Sequence, residues 1–212
     1  MPDQVSPYQP IITDESIAQL KRSIGYKIPI RPSYDTATKE VIMRVAYGNG
    51  DDNPLWGNEE YATKSRYGQL IASPSFLLSC MTGPLWPQLP EFTIPEGMPK
   101  AGVQIASGLP GIPNWYIGDE WEWWHPIFVG DRIRAMGGLH SVTELPRREG
   151  AEDPGRAVEV VWETIFTNQR EEKVGRYLYK QWKRELPQSE GKRTKLFAEP
   201  SPYYSEEDLK KI

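Results

Sequence analysis

The sequence predicts an α+β domain in which a buried helix is wrapped by a curved antiparallel sheet, and three observations carry that prediction. Helical patterns fill the first half of the chain, and from Asn114 onward the pattern changes to strands. Helices followed by a run of antiparallel strands are the mark of the α+β class. The stretch Pro74 to Thr82, with Phe76, Leu77, Leu78, Cys80 and Met81, is apolar nearly all round, as a helix is when it is buried. Between Arg156 and Asn168, the set Val158, Val160, Trp162, Thr164, Phe166 alternates with Glu159, Val161, Glu163, Ile165, a period of two.

The elements follow in order. Residues 1–12 are Pro-rich and are expected to drape over the surface as an arm. Thr13 or Asp14 caps a first helix carrying Ile17, Leu20 and Ile24 at helical spacing, and Gly25 stops it. Lys27 to Tyr34 reads as extended, because Pro29 and Pro32 forbid a helix interior. A second helix starts near Thr36 or Thr38, with Ile42, Val45 and Ala46 on its apolar face. Gly48-Asn49-Gly50 breaks it. Asn58 to Lys64 forms a short helical turn, and the buried third helix follows from about Pro74. The strands are Trp115 to Trp124, Arg132 to Leu145, Arg156 to Asn168 and Lys173 to Leu186. The charged connection Pro146 to Gly155 reads as a long hairpin loop. Gln188 to Pro202 has linker composition, and Tyr203 to Ile212 begins like a helix capped by Ser205, with Asp208 three residues on. The expected organisation is an arm over 1–12, one domain over 13–186 and a linker-like tail over 187–212.

Composition narrows the partners. A chain of 212 residues is long enough for one domain with a substantial core. Its net charge of -4, with no block of Lys or Arg, argues against nucleic acid and anionic membrane surfaces. Cys80 is the single cysteine, so neither a disulfide framework nor a thiolate metal cluster is expected within one chain. No metal or cofactor is called for. The start Met-Pro-Asp-Gln lacks a signal-peptide pattern, and no uncharged apolar stretch approaches the ~18–20 residues of a membrane span. The expectation is a soluble, cytoplasmic protein. The 8 Trp and 11 Tyr suit both a large core and an interface.

The chemistry concentrates in Gly50-Asp51-Asp52-Asn53-Pro54-Leu55-Trp56. It resembles the Gly-Asp-x-Asn-Pro-Leu-His signature of the MaoC-like, (R)-specific enoyl hydratases and dehydratases, whose fold is the hotdog. Tyr47 through Leu78 resembles the N-terminal, or FAS1-like dehydratase, type of that family. Trp121-Glu122-Trp123-Trp124-His125-Pro126 with Val129-Gly130-Asp131 resembles its second recurring block. The resemblance implies a hotdog fold with an N-terminal helix and a C-terminal tail. It also implies a hydro-lyase chemistry in which an Asp and a His hold and deprotonate the water that adds across an enoyl thioester.

Residue by residue, the resemblance is uneven. The water-holding Asp falls on Asp51 and the loop-fixing Asn on Asn53, but the base His falls on Trp56. An indole N–H only donates, so it cannot serve as a general base. The family's oxyanion donor, a backbone N–H at the start of the central helix, falls in Ala72-Ser73-Pro74-Ser75. Pro74 stands where a Gly is expected and has no N–H to give. Loss of one such donor costs on the order of 10²–10³ in rate, and loss of a general base ~10²–10⁴. The isolated chain is therefore expected to be a poor hydratase.

Asp51 and Asn53 are candidate relics of the catalytic loop, and Asp51 also reads as an Asx-turn residue bracing the loop before Pro54. Trp56, Tyr67, Ser73 and Pro74 are the candidate wall of the acyl site. His125 and His140 read as structural, Asp131 as a turn residue and Cys80 as inert core. The resemblance implies a subunit of a 2-enoyl-thioester hydratase or 3-hydroxyacyl-thioester dehydratase complex, inactive alone. Its partners would be an acyl-CoA or acyl-ACP thioester and either a separately encoded MaoC-like hotdog supplying Asp and His or a second copy of this chain. A non-catalytic acyl-thioester-binding or scaffolding protein is the alternative from another class; hotdog thioesterase chemistry through Asp51 is the third.

Overall fold

Five antiparallel strands make one sheet in the order β1-β3-β4-β5-β2. They are β1 (Lys27–Ile30), β2 (Asn114–Trp123), β3 (Arg134–Glu144), β4 (Ala157–Thr167) and β5 (Lys173–Arg184). The computed structural model describes residues 11–30, 32–81, 109, 112–146 and 155–185. The arm before residue 11, the centre of the Pro146 to Gly155 connection, Thr82 and the C-terminal tail lie outside the described residues.

The two-residue period sorts β4 as expected. Val158, Val160 and Phe166 are fully buried, and Thr164 nearly so, on the face that meets the helices. Register carries that face across the sheet: Phe166 pairs with Ala135 and Gly175, and Thr164 with Gly137 and Tyr177. The opposite face holds Glu163, which sits between Lys27 and Arg176 in an ion-pair cluster.

Among the described residues, three of the four α-helices start where a side chain satisfies an orphan N–H group, and the central helix starts without one. Thr13 and Ser16 form a capping box on α1 (Asp14–Arg22). Ile17 and Leu20 pack with Val158, Val160 and Leu139 in one core cluster. Ile24 is 41% exposed, because the helix has ended before it and Gly25 turns the chain at φ +83°. Ile12, expected on the surface, is buried. Its N–H donates to Glu185, and its carbonyl accepts from the Arg156 guanidinium. Arg156 also pairs with Asp14 and Glu144 and so joins α1 to the ends of β3 and β4.

Thr38 caps α2 (Lys39–Gly48), which buries Ile42 and Ala46. Asn58 caps α3 (Glu59–Lys64). The central helix α4 is Phe76–Ser79, shorter than its apolar run suggested. Phe76, Leu77 and Cys80 are buried in the second cluster with Trp56, Phe166 and Tyr177. Leu78, expected inside, is 43% exposed. α4 can lie close on the sheet because Gly175 beneath it has no side chain: a Cβ there would stand 2.7 Å from Leu77 Cδ1. The architecture is the α+β hotdog. Among the described residues no helix is long and apolar enough to cross a membrane.

Candidate functional site

The loop after α2 is built by its own side chains. Gly50 adopts φ +70°, a conformation that suits glycine. It turns the chain so that the Asp51 N–H donates to the Ala46 carbonyl at 2.9 Å. Asp51 Oδ1 accepts the Asn53 N–H at 3.2 Å, and Asn53 Oδ1 accepts the Leu55 N–H at 3.0 Å. These two Asx interactions launch the single 3₁₀ turn Pro54–Trp56 and swing Trp56 inward to 8% exposure.

Trp56 becomes one wall of a cleft of about 350 Å³. The other walls come from three segments that the topology draws together. Arg66 and Tyr67 follow α3; Ile71 to Pro74 lead into α4; and Trp123 to Ile127 leave the end of β2. The last two are laced by the Ala72 N–H donating to the Ile127 carbonyl at 2.8 Å and by a bridge between Ile71 and Phe128. The turn after Ile127 is held by Asp131, which is 3% exposed. Its carboxylate accepts from the Phe128 N–H at 2.9 Å and from Gln169 and Arg170, each at 3.0 Å. Asp131 is thus the turn residue expected, with a charged partner added.

All four expected wall residues, Trp56, Tyr67, Ser73 and Pro74, line this cleft. Asp51 and Asn53 do not line it; Asp51 Oδ1 and Asn53 Oδ1 each accept a backbone N–H of the loop. Sequence reasoning missed Arg66, Trp123, Trp124 and His125. The arrival of Trp123, Trp124 and His125 depends on the β2–β5 register, Trp123 facing Gly175, which no local pattern reveals; Arg66 comes with its neighbour Tyr67. His125 is exposed in the cleft, unlike the structural role expected of it. His140 lies on the opposite side of the molecule's chemistry, on β3 with Nδ1 3.9 Å from Glu163.

The cleft's polarity is sparse and one-sided. Among the described residues no Asp or Glu lines it. Arg66 lies over the Tyr67 ring at 4.8 Å and donates to its hydroxyl at 2.6 Å. Asn49 Nδ2 donates to Ser75 Oγ at 3.0 Å, and Ser75 Oγ lies 2.8 Å from Ser73 Oγ. Trp56 Nε1 is the one buried side-chain polar atom without a hydrogen-bond partner among the described residues, an omission that costs about 1–3 kcal/mol. Burial pushes the Cys80 thiol up to about 12, so it is the inert core group expected. Among the described residues no three His, Cys, Asp or Glu side chains gather to hold a metal ion.

Comparison with known proteins places this geometry. The FAS1-like dehydratase domain region, as a protein family, matches residues 22–176. A UPF0336 protein of Parafrankia sp. (strain EAN1pec) is 24% identical over 111 residues, which are 52% of this chain and 65% of that relative. The chain therefore spans slightly less than two thirds of that relative's length. Among solved structures, the monoamine oxidase regulatory protein from Archaeoglobus fulgidus is 27% identical with a TM-score of 0.54, over 84% of this chain and 97% of that one. The ChsH1–ChsH2 complex from Mycobacterium tuberculosis has the same fold with a TM-score of 0.58 at 17% identity, over 83% of this chain and 93% of that one.

Proposed function

The chain belongs to the FAS1-like dehydratase domain family, and from that premise we propose that it is the pocket-shaping subunit of a cytoplasmic 2-enoyl-thioester hydratase or 3-hydroxyacyl-thioester dehydratase. A separately encoded partner hotdog supplies the Asp/His pair. One observation carries the reading. The position that the resemblance assigns to the base is Trp56, buried in the wall of the cleft, while Asp51 is bound into the loop outside it. The cleft keeps the walls of an acyl site, while Trp56 offers no base at the motif position and Asp51 lies outside it. Among the described residues no carboxylate lines the cleft, which weighs against the thioesterase alternative.

Edge strand β2 supports the partner. Trp115, Tyr116, Ile117 and Trp123 are between 37% and 56% exposed along it, and an unpaired edge bearing aromatics favours association with another chain. The ChsH1–ChsH2 structure is itself a complex of two proteins, which accords with the proposal.

The test is activity by parts. The purified chain is expected to hydrate neither crotonyl-CoA nor longer enoyl-CoA thioesters. Adding a MaoC-like hotdog with an intact Gly-Asp-x-Asn-Pro-Leu-His motif restores hydration. Appreciable activity of the chain alone, abolished by Asp51→Asn, overturns the reading. Activity of the complex that survives removal of this chain would favour scaffolding.

A further inference from the structure

We infer that the acyl group taken by this cleft carries a second carboxyl group, remote from the thioester, whose carboxylate is held by the Arg66 guanidinium. The inference rests on the reading of the cleft as an acyl site and names the class of acyl group it takes, the monothioester of a short dicarboxylic acid.

The first observation is an arginine without a carboxylate. Arg132, Arg134, Arg156, Arg170 and Arg176 each hold one. Arg66 lines the cleft and holds none among the described residues; its side chain donates only from Nη2 to the Tyr67 hydroxyl, at 2.6 Å. The acidic residues of α3, the helix that Arg66 follows, are already taken: Glu59 pairs with Lys39 and Glu60 with Lys64. A guanidinium presents a planar fork of N–H donors that matches a carboxylate. Most of that fork remains for a ligand.

The second observation is that the fork is both reachable and held in place. Arg66 is exposed where it lines the cleft, so a bound molecule can touch it directly. The guanidinium lies over the Tyr67 ring at 4.8 Å, and the bond to the Tyr67 hydroxyl fixes its direction. A long side chain restrained in this way before binding loses less freedom when it grips a ligand.

The third observation is the setting. The chain carries a net charge of -4, yet among the described residues the cleft is lined by no Asp or Glu. The other group there that can carry positive charge is His125, also exposed. A lining of this sign, against the balance of the whole chain, selects an anion. Size then decides which anion. Arg66 and the Ser73-Pro74 segment line the same cleft of about 350 Å³, and the resemblance places the thioester beside that segment. A carboxylate on a short acyl group spans such a space. The phosphates of the carrier stand a whole pantetheine arm away from the sulfur. Trp56, Tyr67 and Trp123 supply aromatic walls for the carbon chain between the two ends.

The full-length chain is titrated by calorimetry with succinyl-CoA, with its neutral isostere 4-oxopentanoyl-CoA, in which a methyl group replaces the carboxylate oxygen, and with butyryl-CoA. Succinyl-CoA is expected to bind about tenfold more tightly than the isostere. In Arg66→Gln the ratio of the two affinities is expected to fall to about one, and Arg66→Lys, which keeps the charge without the fork, is expected to retain part of the preference. Equal affinities on the natural chain, or a preference that survives in Arg66→Gln, overturn the inference while leaving the acyl-site reading intact. Equal affinities that both fall in Arg66→Gln assign the arginine to the carrier's phosphates and likewise overturn it. Failure of all three thioesters to bind overturns both the inference and the reading beneath it.

Discussion

Trp123 donates its indole N–H to the Pro74 carbonyl at 3.3 Å, joining the last residue of the edge strand to the residue that leads into the central helix. The bond spans 49 residues of chain and fixes the width of the cleft where Trp56 and Trp123 both line it. The Trp123 ring also stacks on Trp121 at 5.8 Å, with only 8° between their planes.

Trp123→Phe retains an aromatic ring for that stack and removes the hydrogen bond. Because Trp123 stays 52% exposed, the expected loss of stability in urea unfolding lies at the low end of about 0.5–1.5 kcal/mol. The larger effect is expected in acyl-CoA affinity, measured by calorimetry on the same variant.

Restoring the family residues is not expected to restore the chemistry. In the double variant Trp56→His with Pro74→Gly, a base and a backbone donor return, yet Asp51 remains bound to the Asn53 N–H outside the cleft. Crotonyl-CoA hydration by that variant, assayed without a partner subunit, is expected to stay at background. Clear turnover would mean that the Asx turn at Asp51 opens readily.

Gly175→Ala tests how closely the central helix needs to lie on the sheet. The added Cβ would meet Leu77 Cδ1 at 2.7 Å and the Glu122 carbonyl oxygen at 2.9 Å. Leu77 can move, but the β2 backbone yields less, so the expected cost is about 1–3 kcal/mol. A fall in the urea midpoint at unchanged slope is the predicted signature.

Glu163 gives the molecule an acid limb. Burial alone would push its carboxyl up, but hydrogen bonds from Lys27 and Arg176 outweigh that and hold it below the ordinary 4.5. The unfolded chain therefore binds the proton first as pH falls. Stability from this cluster is present above pH 4.5 and is lost as pH drops through the lower folded value. In Glu163→Gln, urea stability measured from pH 7 downward is expected to start lower and to decline less steeply below 4.5 than in the natural chain.

What the sequence disclosed follows the range of the forces involved. Strand ends near Trp123, Glu144, Thr167 and Arg184 were legible within one or two residues, because alternation and turn residues are local signals. Helix starts were legible to the same precision: Thr13 caps α1 where Thr13 or Asp14 was expected, and α2 and α3 begin after Thr38 and Asn58, at or beside the residues where those helices were expected to start. Pairing of Lys27–Ile30 with β3 was not, since that segment read only as extended. The exposure of Leu78 was hidden because composition cannot tell which side of a short helix meets the sheet. Trp56, Tyr67, Ser73 and Pro74 were found from a motif that travels in one stretch of chain. Trp124 and His125 required the fold, which brings the segment after β2 across to Ile71 and Ala72.

Three of the eight tryptophans, Trp56, Trp123 and Trp124, line one cleft. Each indole emits according to the polarity and hydrogen bonding around it, so displacing water from this cleft will alter the protein's own ultraviolet fluorescence. Trp56, at the position that the resemblance assigns to the base, would thereby make the molecule an optical sensor of its own occupancy. Candidate acyl groups can be ranked on unlabelled protein before any turnover assay or partner subunit is in hand.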